Sequence, residues 1–340
     1  MKKVSFALYF TVVMVFALTF CLSPTQAQEK GIKLRYSNFN PAMSPVSRLA
    51  EEWCQEIAKK TDGRVQITHF PAGTLTPPMQ TYDSVVKGIA DVGEALLAYA
   101  PGRLPLSEVL YLPLGCTNAY QATKLANAFY KKFRPKEFDD VKLMYLIATD
   151  PCIFSTKAVV SSVDDLKGQR MKVNTEVVEI AKALGIVPLT MPVTETYDAL
   201  RQGLIDGLLM ATEGLKSFKF GELIKTTLEN YANSYCASIF IVMNKDKWNS
   251  ISKADQQAIE QISEEWIEKS GRKWNELTVE AKAWVIEKGV KWIRAPKEEE
   301  ERTAAKMGPA FTRYLSEMKA KALPGEEAVK FCQDFVKAHP

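Results

Sequence analysis

Along the chain, the spacing of apolar and polar positions switches between a period of two and a period of about 3.6. Lys33-Leu34-Arg35-Tyr36-Ser37 alternates and predicts a first strand. Val46, Leu49, Trp53 and Ile57 then recur on one face at helical spacing. Arg64-Val65-Gln66-Ile67-Thr68 alternates again and predicts a second strand, after which Pro71-Ala72-Gly73 breaks the chain before another helix. Longer apolar runs at residues 141–148 and 235–243 predict strands suited to linking two lobes. From residue 253 to 295, Ile259, Ile262, Trp266, Trp274, Leu277, Trp284 and Trp292 mark a long amphipathic helical region, and this aromatic stripe reads as core packing rather than a ligand box. Further helices are expected over 298–320 and 325–337. Short strands alternating with helices place the chain in the α/β class with largely parallel strands.

An internal echo supports two lobes. Val86-Lys87-Gly88-Ile89-Ala90-Asp91 resembles Arg201-Gln202-Gly203-Leu204-Ile205-Asp206, the glycines lying 203 − 88 = 115 residues apart. In each copy a helix ends on a glycine able to take the left-handed cap, and an aspartate leads into a buried strand.

The first residues have the layout of a secretory signal: Lys2 and Lys3, an uncharged apolar run over 4–20, and small residues up to Ala27. Phe20 stands before Cys21 where a lipoprotein signal wants a small residue, so simple cleavage before Gln28 is expected. That leaves 340 − 27 = 313 residues, natural for two lobes, in a soluble protein outside the cytoplasm with no further membrane insertion. The formal charge of +4 is small and its signs are interspersed, which argues against nucleic acid. Cys54, Cys116, Cys152, Cys236 and Cys332 form no CxxC and are odd in number, so at least one thiol is free. Two histidines, His69 and His339, give little material for a catalytic triad or a zinc site. No glycine-rich phosphate loop or dinucleotide fingerprint is present. No catalytic residue, metal or cofactor is implied.

Three segments carry a family resemblance: Asp165-Leu166-Lys167-Gly168-Gln169-Arg170-Met171-Lys172-Val173; Met191-Pro192-Val193-Thr194-Glu195-Thr196-Tyr197-Asp198-Ala199-Leu200-Arg201-Gln202-Gly203-Leu204-Ile205-Asp206-Gly207; and Val242-Met243-Asn244-Lys245-Asp246-Lys247-Trp248. With Gly88, Asp91 and Leu112-Pro113 they resemble the solute-binding subunits of TRAP transporters, the DctP-like family, over essentially the whole mature chain. The resemblance implies two α/β lobes on a hinge, with a long helix lying across both. Residues 28–150, with a return strand near 235–250, would form the first lobe and 151–234 the second. Residues 251–340 would supply the long helix and the C-terminal helices. It further implies hinge closure over a carboxylate-bearing solute, delivered to a small and a large membrane subunit.

The family's signature arginine, on the strand after the Leu-Lys-Gly turn, is replaced here by Lys172, a point charge in place of a planar fork. Arg170 lies two residues earlier on the same strand face. Met210 stands where many relatives place an asparagine, and Cys152 where some carry a second arginine. The resemblance so modified implies a less cationic pocket for a monoanion with an apolar or aromatic body. Lys172 would anchor it with help from Asn174, while Phe39, Tyr99, Val193 and Met210 pack its body. Asn40, Glu94, Glu213 and Cys152 complete the expected lining, and the two acids offer a means of reading an ammonium group. A ligand-sensing partner of a membrane receptor, or less plausibly an extracytoplasmic enzyme on the same scaffold, are the alternative readings.

Overall fold

The computed structural model describes residues 31–233 and 235–340; the expected signal segment lies outside them. Among the described residues, eleven strands form two sheets. They are β1 (Ile32–Asn38), β2 (Val65–Phe70), β3 (Val92–Leu96), β4 (Val141–Pro151), β5 (Ile153–Thr156), β6 (Arg170–Val173), β7 (Val187–Thr190), β8 (Gly207–Met210), β9 (Thr226–Glu229), β10 (Cys236–Asn244) and β11 (Lys291–Arg294). The first sheet has the order β2-β1-β3-β10-β4 and the second β11-β9-β5-β8-β6-β7. In the first, β1 runs parallel to β2 and β3 while β10 is antiparallel to β3 and β4. In the second, β6 runs parallel to β7 and β8, and β5 is antiparallel to its neighbours. The fold is the expected two-lobed α/β architecture.

The chain passes from the first sheet to the second with only Cys152 between β4 and β5, and returns between β9 and β10. A backbone hydrogen bond from Cys152 N to Tyr235 O, 2.9 Å, ties the two crossings together. The helix Lys253–Glu287 packs against β4 and the helices Pro45–Lys60 and Ala119–Phe133 on one side, and against the helix Thr212–Ser217 on the other. Gly271 allows this closeness, since a Cβ there would lie 3.1 Å from Tyr120 Cα.

The internal echo is a structural repeat. Gly88 and Gly203 adopt φ of +71° and +74°. Asp91 accepts from Arg35 N at 2.8 Å and Nε at 3.1 Å, and Arg35 Nη2 donates to Gly88 O at 3.1 Å. In the second lobe Asp206 accepts from Arg170 N and Nε, both at 2.9 Å, and Arg170 Nη2 donates to Gly203 O at 2.8 Å. Each clamp fastens a helix–strand turn to the neighbouring strand.

Two helical expectations need correction. The long helix stops at Glu287, because Gly289 takes φ +83° and turns the chain, and Trp292 belongs to β11 on the edge of the second sheet. The region 298–320 is two helices, Lys297–Ala304 and Gly308–Ala320, the second begun by Pro309, whose ring lacks the N–H a continuous helix would use.

Candidate functional site

Open α/β sheets present strand C-terminal ends to a crevice, and here both sheets do so around a cavity of about 480 Å³, its mouth included. The end of β1 delivers Phe39 and Asn40, and the end of β3 delivers Leu96. The β4–β5 crossing contributes Thr149 and Cys152, and β6 contributes Lys172 and then Asn174. Val193 opens its helix Val193–Gln202, while β8 ends in Met210 and Ala211 before Glu213 and Phe218 on the next helix. Tyr235, Ala237 and Ile239 enter from the returning chain, and Trp274 from the long helix. Gly214 lets Met210 Cε fold over the helix start, where a Cβ would push that methyl aside. The walls are mostly apolar, with a few polar groups at fixed points.

Lys172 is the dominant charge. It is 3% exposed, and burial pushes its ammonium group down to about 8. Its Nζ donates to Asn174 Oδ1 at 2.9 Å, and no carboxylate of the described residues lies within salt-bridge reach. An ammonium has three donors, so two remain uncommitted. Asn174 Nδ2 donates on to the Tyr235 hydroxyl at 3.3 Å, which fixes the acceptor facing the lysine. The buried Glu176 carboxyl favours the lysine's charge from a distance, but no carboxylate of the described residues contacts it. Burying such a cation costs several kcal/mol, and an incoming carboxylate would offset that penalty.

Behind the lining lies a layer of buried acids. Glu94 accepts from the Tyr36 hydroxyl at 2.5 Å, Asn38 Nδ2 at 3.0 Å and Asn40 Nδ2 at 2.9 Å, so it orients Asn40 and does not itself face the cavity. Burial pushes Glu94 up to about 7. Asp150, held above the ordinary carboxylate range by burial, accepts from Thr212 N at 3.0 Å and Trp274 Nε1 at 3.2 Å. It thereby ties the hinge to the helix over the cavity. Glu213 lies in the lining itself, accepts from the Ser217 hydroxyl, and is raised by burial to about 7. Tyr99 is also displaced from its expected place. Its hydroxyl accepts from Val193 N at 2.8 Å and its ring meets Phe39 edge-on at 5.8 Å, so it joins the two lobes beside the cavity.

The family model for bacterial extracellular solute-binding proteins of family 7, DctP, matches residues 36–317. The chain belongs to that family. A TRAP periplasmic solute-binding protein from Desulfovibrio salexigens, crystallised open with the C-terminus of a symmetry mate in its ligand-binding site, is 31% identical. The alignment covers 91% of this chain and 96% of that one at a TM-score of 0.80. A TRAP solute-binding protein from Bordetella bronchiseptica with bound (R)- and (S)-mandelate is 27% identical, covering 91% and 100% of the two chains at a TM-score of 0.84. The ectoine/5-hydroxyectoine-binding periplasmic protein UehA of Ruegeria pomeroyi is 26% identical over 66% of this chain and 68% of its own. These relatives are solute-binding transport proteins rather than enzymes.

Of the residues singled out from sequence, this DctP-type chain gathers Phe39, Asn40, Cys152, Lys172, Asn174, Val193, Met210 and Glu213 around one cavity, and leaves Glu94 and Tyr99 in its supporting layer. Arg170 is held in the Asp206 clamp, away from the lining. Sequence reasoning missed Thr149, Phe218, Tyr235 and above all Trp274, which its helical spacing assigns to core packing. The cavity thiol of Cys152 is pushed up to about 12 by burial and stays protonated. Among the described residues no group of acids, histidines and cysteines has metal-site geometry, and no helix is long and apolar enough to cross a membrane.

Proposed function

We propose that this protein captures a small monocarboxylate with an apolar or aromatic body between its lobes and delivers it to the small and large membrane subunits of a TRAP transporter. The observation carrying this reading is Lys172, a buried cation in the cavity wall that hydrogen-bonds to Asn174. Among the described residues it has no carboxylate within salt-bridge distance, the buried Glu176 acting on it only from further away. A single lysine favours one carboxylate over the two of a dicarboxylate. Phe39, Leu96, Val193, Met210, Phe218 and Trp274 suit a flat or compact apolar body. The mandelate of the Bordetella protein and the chain terminus held by the Desulfovibrio protein are carboxylates in corresponding folds. In this reading residues 28–150, with the strand near 235–250, and residues 151–234 close as two bodies about the Cys152 and 230–235 crossings. Residues 1–27 direct export and are removed, leaving the mature protein in the periplasm.

The test is a thermal-shift screen of residues 28–340 against benzoate, phenylacetate and mandelate, with dicarboxylates and neutral sugars as contrasts. Ligand at a hundred times its dissociation constant stabilises by about 2.7 kcal/mol, which moves the melting point by several degrees. Lys172→Met is expected to abolish the response while raising the melting point of the ligand-free protein, because it removes a desolvated charge that no carboxylate of the described residues contacts. Monocarboxylate responses that persist in Lys172→Met would overturn the reading.

A further inference from the structure

The cavity holds a second buried ionisable group that the carboxylate anchor does not use. Glu213 is 4% exposed and lines the same cavity as Lys172. One of its oxygens, Oε1, accepts from Ser217; the other has no partner among the described residues. Met210 Cε lies over the adjoining Gly214, so the Glu213 carboxylate sits in a mostly apolar stretch of the cavity wall.

Strand register separates the two groups. Lys172 pairs with Leu208 in β8, and β8 continues to Met210 before the helix carrying Glu213 begins. Two residues of strand advance about 7 Å, so acid and ammonium meet the cavity at different levels. Accordingly neither perturbs the other's ionisation. Glu213's charged neighbours are Asp150, buried beneath it, and Lys216, which is directed outward to Glu280. A carboxylate seated on Lys172 therefore leaves Glu213 unsatisfied. A buried polar group without a partner is costly, and a site built around one rejects ligands that cannot supply it.

Resting on the carboxylate anchor proposed above, we infer that the ligand carries a hydrogen-bond donor, a hydroxyl or an ammonium, across its apolar body from the carboxylate, and that Glu213 reads it. Glu213 is thus the specificity-determining residue at the far end of the site. A hydroxyl against the protonated acid and an ammonium against the ionised acid each keep the occupied cavity electrically balanced, so an ammonium requires Glu213 ionised.

Titration calorimetry with phenylacetate, its meta- and para-hydroxy derivatives and its meta- and para-aminomethyl derivatives tests this. At least one donor-bearing acid should bind wild-type protein about tenfold to a hundredfold tighter than phenylacetate, and Glu213→Met should erase that ratio of the two affinities. A hydroxyl ligand retains its advantage in Glu213→Gln, which still accepts a hydrogen bond. An ammonium ligand loses it there, and in wild type its advantage grows as pH rises through about 7. Donor-bearing acids that bind no tighter than phenylacetate, or an advantage that survives Glu213→Met, would overturn the inference. Should Glu213→Met fail to fold, the wild-type ligand series and Glu213→Gln still decide. Failure of every acid, phenylacetate included, would instead strike at the Lys172 anchor.

Discussion

Several of the buried ionisable side chains sit far from their ordinary protonation equilibria, and the direction of each shift fixes how the protein responds to pH. Glu94 and Glu213 are raised to about 7 from the usual carboxylate range, so the folded state binds more protons than the unfolded chain between those values. Their stabilising contribution is complete below the unfolded value and is lost as pH rises through about 7. Lys172 is lowered to about 8, so its burial penalty holds below that value and is relieved above it, as the folded state sheds its proton before the unfolded chain does. Melting temperatures of ligand-free protein should therefore fall from mildly acidic pH to about pH 7 and recover in part above about 8, and Glu213→Gln should flatten part of the acid-side slope. Carboxylate affinity should weaken as pH passes about 8, where the anchor loses its charge. The placement of Lys172 in the cavity lining followed from the family resemblance, which implies a basic side chain on the strand after the Leu-Lys-Gly turn. The place of Glu94 was not legible in sequence, since an acid interrupting an apolar run looks the same whether it faces a ligand or, as here, holds Asn40 from behind.

Among the elements, strands and turns were more legible than the uses of the helices. Gly88 and Gly203 announce their caps, and the aspartates after them announce the strand starts, because those backbone demands are local. The helix Lys253–Glu287 shows what local pattern omits: Trp266 and Trp274 share its buried side, yet one packs on Leu49 and the other reaches the cavity, a distinction set by what lies opposite. Tyr99 belongs to the same category. Its contact with Val193 N joins the η-turn Leu97–Tyr99 of the first lobe to the helix start of the second, and pairing between residues 94 positions apart leaves no mark on either segment. Tyr99→Phe keeps the ring on Phe39 but removes the acceptor. Ligand affinity should then drop a few-fold to about tenfold, chiefly through faster release measured by stopped-flow dilution, with the secondary structure by circular dichroism unchanged.

At the scale of the whole molecule, two similar α/β units face each other across a cavity and share one hinge and one long helix. The echo of Gly88–Asp91 in Gly203–Asp206 suggested two units from the chain alone; how they face each other was not readable, because that depends on the crossings at Cys152 and before Cys236. Trp274 stands where these parts meet, its indole nitrogen on Asp150 at the hinge and its ring in the cavity wall. Of the six tryptophans in the chain, only Trp274 lines that cavity. The protein therefore carries its own optical probe of occupancy. Indole emission should shift in wavelength and intensity when a carboxylate enters, and Trp274→Phe should silence that signal while calorimetry still records binding.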